Sequence, residues 1–126
     1  VGTIINLSSI AAQRTQSDLM GFSVSCAALD QMTRCLAVSL APERVRVNAV
    51  AFGSVMSASL QDHLREHPDH RDAIIAATPQ GRIAGPTEVA EAVQFLASDS
   101  SSFVTGEILT VDGGRSLVDA VNTSLH

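Results

Sequence analysis

A serine, a phenyl ring and a thiol stand where this chain is best placed to do chemistry. Ser9 closes the run Asn6-Leu7-Ser8-Ser9, and its hydroxyl offers one donor and two lone pairs to a bound carbonyl or to its own loop backbone. Phe22 and Cys26 are four positions apart, so on a helix they share one face, which a compact fold turns toward that serine run. Neither hands over a proton at neutral pH. A phenyl ring has none to give, and a thiol supplies neither a positive charge nor three donors. Cys26 reads as a small core-lining residue. It lies nine positions from Cys35 on the same expected helix, roughly 13 Å away at about 1.5 Å per residue, too far for a disulfide.

Two other groupings have suggestive spacing. His63-Leu64-Arg65-Glu66-His67 matches the His-x-x-Glu-His pattern that on a helix can hold zinc with glutamate as base. Pro68 directly after it, and the charges around it, make it a solvated helix face that carries His70 as well, and no metal site is expected. Glu88 and Glu91 read as a helix start beside favourable backbone dipoles, not as a catalytic dyad.

The elements that must position these residues follow from hydrophobic periodicity. The run from Thr3 to Leu7 is continuously apolar but for Asn6 and is closed by small polar residues, as in a strand buried on both faces of a parallel sheet. From 18 to 40, Ala28, Leu29, Met32, Leu36 and Leu40 recur at spacings of three and four, which predicts one long amphipathic helix ended by Ala41-Pro42-Glu43-Arg44. A second strand follows to about residue 51, closed by Gly53, and a third is expected near 107–112. Between them, residues 57–81 are of mixed polarity, broken by Pro68 and Pro79, and read as a lid of short helices. Pro86 at a first helical position, with Glu88 in the first turn, starts a helix to about residue 98 with Val89, Val93 and Leu96 inward. Strand, helix, strand, lid, helix, strand implies right-handed crossovers and a parallel sheet: an α/β fold with three parallel strands and flanking helices.

Composition bounds the rest. The 126 residues, 45% hydrophobic and 17% charged, supply one core and no more. A net charge of −5 without a basic cluster leaves no electrostatic footprint for nucleic acid or an anionic membrane. No apolar run approaches a membrane span, and a cytoplasmic location is the default. All eight basic residues are arginine, and the chain has neither tyrosine nor lysine. It opens at Val1 inside a β-type run, and a longer protein is expected to contain it.

Five segments together resemble one family. TIINLSS, AALDQMTRCLAVSLAPERVRVNAV, FGSVMS, GRIAGPTEVAEAVQFLASDSSSFVTG and LTVDGG are similar, in order and spacing, to the C-terminal half of the short-chain dehydrogenases/reductases, near their 3-oxoacyl-carrier-protein reductase branch. The resemblance runs to about Leu117. It implies a doubly wound, Rossmann-like sheet with NAD or NADP across the carboxyl ends of its strands. The chain would then be the C-terminal portion of one such domain, with the N-terminal dinucleotide half absent.

The resemblance also assigns positions. The family's catalytic serine falls on Ser9, and thirteen residues later its tyrosine position holds Phe22. Its lysine position, four further on, holds Cys26. In the family that tyrosine protonates the carbonyl oxygen, while the lysine lowers the phenol's pKa and holds the nicotinamide ribose. After the second strand the family's Pro-Gly-x-Val-x-Thr, whose backbone and hydroxyl meet the cofactor, becomes Phe52 followed by Gly53, Val55 and Ser57. These substitutions imply a degenerate, non-catalytic subunit or fragment that assembles with itself or with an active relative. The alternative is an active reductase or dehydrogenase of a ketone or secondary alcohol, with a small-molecule carbonyl substrate and an atypical proton route through Ser9 and water.

Overall fold

In the computed structural model, which describes residues 1–119 and residue 121, the chain alternates strands and helices. These are β1 (Gly2–Ser9), α1 (Met20–Leu40), β2 (Val45–Phe52), α2 (Ala58–Glu66), α3 (Pro68–Ala77), α4 (Pro86–Ala97) and β3 (Ile108–Val111). The three strands are parallel in the order β1-β2-β3, with Gly2 opposite Val45 and Ala49 opposite Ile108. The expected strands and helices are all present, within a few residues at their ends. The lid resolves into two helices, parted at His67 and Pro68.

Central β2 is the reason the sheet forms. Val47, Asn48, Ala49 and Val50 are each 0% exposed, so both of its faces are covered. On edge strand β1, by contrast, Ile4 and Leu7 remain exposed, an apolar surface that no described residue covers. Helix α4 starts with Pro86 at its first position and sends Leu96 fully into the core, with Val89 and Val93 half-buried beside it. Among the described residues no helix is long and apolar enough to cross a membrane.

Helix α1 has the expected length but a rotated face. Its buried stripe is Ser23, Cys26, Asp30, Thr33 and Ala37, spaced three and four apart. The apolar series reads differently: Ala28 and Met32 are exposed, and Leu29, Leu36 and Leu40 half-buried. Small side chains let the helix lie close on β1 and β2, and Asn6 Nδ2 donates to Thr33 Oγ1 at 3.0 Å across that contact. Its outer face carries Met20, Cys35 and Val38, all exposed, with Leu19 at its cap. A short 3-10 turn, Ala41–Glu43, follows the helix and closes where Arg44 takes a left-handed φ of 59° and returns its N–H to Ala41 O.

Candidate active site

Because the strands are parallel, Ser9, Gly53 and Asp112 emerge on one side, and the crevice lies outside these carboxyl ends. Ser9 is the last residue of β1. Its Oγ accepts the Ala11 N–H at 3.1 Å, which caps the following turn and leaves the hydroxyl proton to donate elsewhere. Phe22, in the first turns of α1, lines the same recess of about 380 Å³ as Ser9 and Gly53. The ring is 45% exposed, so it faces the cavity and not the core. Sequence reasoning placed these two residues together, and the structure does so.

Cys26 behaves differently. At 8% exposed it is buried between α1 and the sheet, and it lines none of the crevice. Both cysteines are free thiols.

Beyond β2 the chain passes the expected cofactor positions. A Cβ on Gly53 would lie 2.3 Å from Ile10 Cδ1, so a side chain here would have to displace the end of the Ile10 side chain. Val55 forms a parallel bridge with Ala84, in which Met56 N–H donates to Ala84 O and Ala84 N–H to Ser54 O. That pattern turns the Val55 N–H away from Ala84, and it donates to no described residue. Ser57 caps α2, its Oγ accepting the Leu60 N–H at 3.1 Å. A free backbone N–H and a hydroxyl at a helix start fit the carboxamide and phosphate of a nicotinamide dinucleotide.

The lid brings the imidazoles of His63 and His70 to the mouth of the crevice, with His67 packed against them. A 2.8 Å hydrogen bond joins His63 Nε2 and His70 Nδ1, and the His67 ring stacks on His70 with centroids 4.8 Å apart. Helix α2 ends at Glu66, so His67 sits outside it and the helical zinc pattern is not formed. Among the described residues no group of three or more His, Cys, Asp or Glu side chains is arranged to hold a metal ion.

Two carboxylates shape the other wall. Glu88 accepts the Gly85 N–H at 2.8 Å and pairs with both Arg82 nitrogens, at 2.9 and 2.5 Å. The Arg82 hydrogen bonds foremost, then the Gly85 N–H, pull its pKa down to about 2. The folded pKa thus lies below an ordinary glutamate's ~4.3, so its stabilising effect is complete above that value and lost as pH falls toward about 2. The denaturation midpoint of Glu88→Gln is therefore expected to trail wild type at neutral pH and converge with it across that window. A gap that stays constant through it contradicts this assignment. Asp112 follows β3. Burial opposes its ionised form, but bonds from the Ser116 side chain and from the Ser116 and Gly114 N–H groups, with the Arg14 charge, hold its pKa below the usual range. Gly113 and Gly114, at φ 63° and 89°, allow that turn to fold against Thr78 and Pro79.

Arg14, Arg115, Asp30 and Ser54 were missed by sequence reasoning. Arg14 donates to the carbonyls of Arg115, Ser116 and Val118, about a hundred residues away. Such partners follow from the topology and leave no local signal.

Comparison with known proteins agrees with this geometry. The family described as enoyl-(acyl carrier protein) reductase matches residues 1–116. The chain is 43% identical over 120 residues to the cis-4-hydroxycyclohexanecarboxylate dehydrogenase of Sinomonas cyclohexanicum, covering 93% of this chain and 46% of that protein. It therefore spans about half the length of the curated relatives it matches. Among solved structures, a 3-oxoacyl-[acyl-carrier protein] reductase from Brucella melitensis superposes with a TM-score of 0.86 at 31% identity, over 93% of this chain and 43% of that one. A tyrosine-to-phenylalanine variant of ElxO with NADPH bound gives 0.85 at 29% identity, over 93% and 47%.

Proposed function

This chain belongs to the short-chain dehydrogenase/reductase family, and from that premise we propose that it holds NAD(P) in a fold whose proton-donating pair is lost. On this reading the protein is a degenerate, cofactor-binding subunit that assembles with itself or with an active relative. The observation that carries it is Phe22, which lines the crevice beside Ser9 in a chain without tyrosine or lysine. When bound, the cofactor supplies hydride chemistry at its nicotinamide. The Val55 N–H and Ser57 hydroxyl would hold it, and Ser9 would hydrogen-bond a ligand carbonyl. The NADPH-bound ElxO variant supports cofactor binding here, since it is a similar protein that carries a tyrosine-to-phenylalanine exchange together with the dinucleotide. The second reading, an active ketone reductase with an atypical proton donor, draws on the hydrogen-bonded His63–His70 pair at the mouth of the crevice, whose ring nitrogens can donate or accept a hydrogen bond to a ligand.

Calorimetric titration of the full-length protein with NADPH and NADH tests the reading. One of them is expected to bind saturably without being oxidised by added ketones. Absence of binding by both would remove it. Assembly has its own check by sedimentation: wild type is expected above monomer mass, and Val38→Asp, on the outer face of α1, is expected to shift it toward monomer. A wild-type monomer removes the scaffold role.

A further inference from the structure

The recess beside Ser9 and Phe22 has two charged residues in its lining, and both are arginines. Arg14 is committed: its Nη2 donates to three carbonyls of the C-terminal turn, and its charge contributes to holding Asp112 ionised. Arg115 is not. Half-buried, it uses Nη1 to bond Ser54 Oγ, and among the described residues the ion pairs are Arg65–Asp62 and Arg82–Glu88, neither of which includes it. A guanidinium has five N–H donors in a planar fork suited to two carboxylate oxygens. Its anchor is itself unusual, because Ser54 sits at φ 61°, a conformation that a residue with a side chain seldom adopts. Ile10, Leu19 and Phe22 supply apolar wall to the recess, among polar residues such as Thr15 and Gln16. Arg115 also lines the wider mouth, where the opposing charge, Asp18, and the imidazoles of His63 and His70 stand, while the recess itself holds none of these three.

We infer that Arg115 is the carboxylate-binding residue of this crevice. A small carboxylate-bearing ligand places its carboxylate on the Arg115 fork, its carbon skeleton against the Phe22 ring and its carbonyl or hydroxyl at Ser9. The inference rests on the reading above only in taking the crevice as a ligand site, and it adds the chemical class of that ligand.

The test is calorimetric binding to the full-length protein of 4-oxopentanoate and its neutral counterpart 4-oxopentanamide, with and without saturating NADPH. A bond to a charged group gained by the acid alone corresponds to a preference of roughly ten- to a hundredfold. Arg115→Gln is expected to abolish the preference and Arg115→Lys to keep part of it. Ser54→Ala, which only releases the anchor, is expected to weaken it in a protein whose packing is untouched, and it keeps the test decisive should Arg115→Gln fold poorly. Equal binding of acid and amide by wild type, failure of the acid to bind, or a preference that survives Arg115→Gln each overturns the assignment. So does a loss confined to NADPH affinity, which would make Arg115 a cofactor-phosphate ligand. A protein that binds no dinucleotide yet prefers the acid would refute the cofactor reading and leave Arg115 standing.

Discussion

Phe22→Tyr and Cys26→Lys, introduced together in the full-length protein, are expected to raise ketone reduction by about 10²–10⁴-fold, the usual worth of a positioned proton donor. The geometry favours the first change: the Phe22 ring already lines the recess with Ser9, so a phenol there adds its hydroxyl to the crevice. Alone it is expected to do little. Position 26 is where the family carries the cation that lowers the phenol's pKa and holds the nicotinamide ribose, and Arg14 and Arg115 in the recess are bonded to backbone carbonyls and to Ser54 instead, so without a lysine there the phenol holds its proton too tightly to share it in the transition state. Cys26→Lys alone supplies a cation and no donor. Position 26 is buried, which disfavours a charged ammonium, but a lysine stem is long enough to carry its head toward the crevice while the methylenes stay packed. Because the two groups act as one unit, their effects should be strongly non-additive. A gain in Phe22→Tyr equal to that of the double variant contradicts the assignment of position 26.

Asn48→Ala is expected to destabilise the fold by about 1–3 kcal/mol, although it touches no ligand position. Asn48 is 0% exposed in the central strand. Its Nδ2 donates to Val104 O and its Oδ1 accepts the Glu107 N–H, each at 2.9 Å, so one side chain satisfies both backbone groups that lead into β3. Truncation leaves the Glu107 N–H unpaired, at about 1–3 kcal/mol, and leaves Val104 O with the Arg46 guanidinium at 3.3 Å as its remaining donor. The cost reaches the crevice, since β3 has four residues and carries the Asp112–Arg115 turn. Asn48→Asp keeps the acceptor and loses the donor, but it also buries a charge, so it should be no better tolerated. Urea denaturation measures both, and a loss for Asn48→Ala below about 1 kcal/mol would show that the loop finds other partners.

The strands were legible because continuous apolar runs closed by small residues have few other uses, and β2, buried on both faces, is the clearest case. The ends of α1 and α4 were legible from Pro42 and Pro86. The face of α1 was not. Its buried stripe includes Ser23, Asp30 and Thr33, polar residues chosen for small size and cross-contacts, so hydrophobic periodicity pointed to a neighbouring face. Asp30 shows the limit well: its Oδ1 is buried with no hydrogen-bond partner among the described residues, which no pattern of apolar spacing announces. The meeting of Ser9 and Phe22 was readable through family resemblance. Arg115 and Ser54 were not, because they lie 61 positions apart and meet only through the order of the sheet.

The loss of the proton donor is measured most directly by the rate of NADPH or NADH oxidation by the full-length wild-type protein over a panel of 3-oxoacyl thioesters and simple ketones. With Phe22 in the crevice and no tyrosine or lysine in the chain, the rate is expected to be negligible while the protein stays folded. Robust turnover, undiminished by Ser9→Ala, would contradict the account and place the proton donor elsewhere.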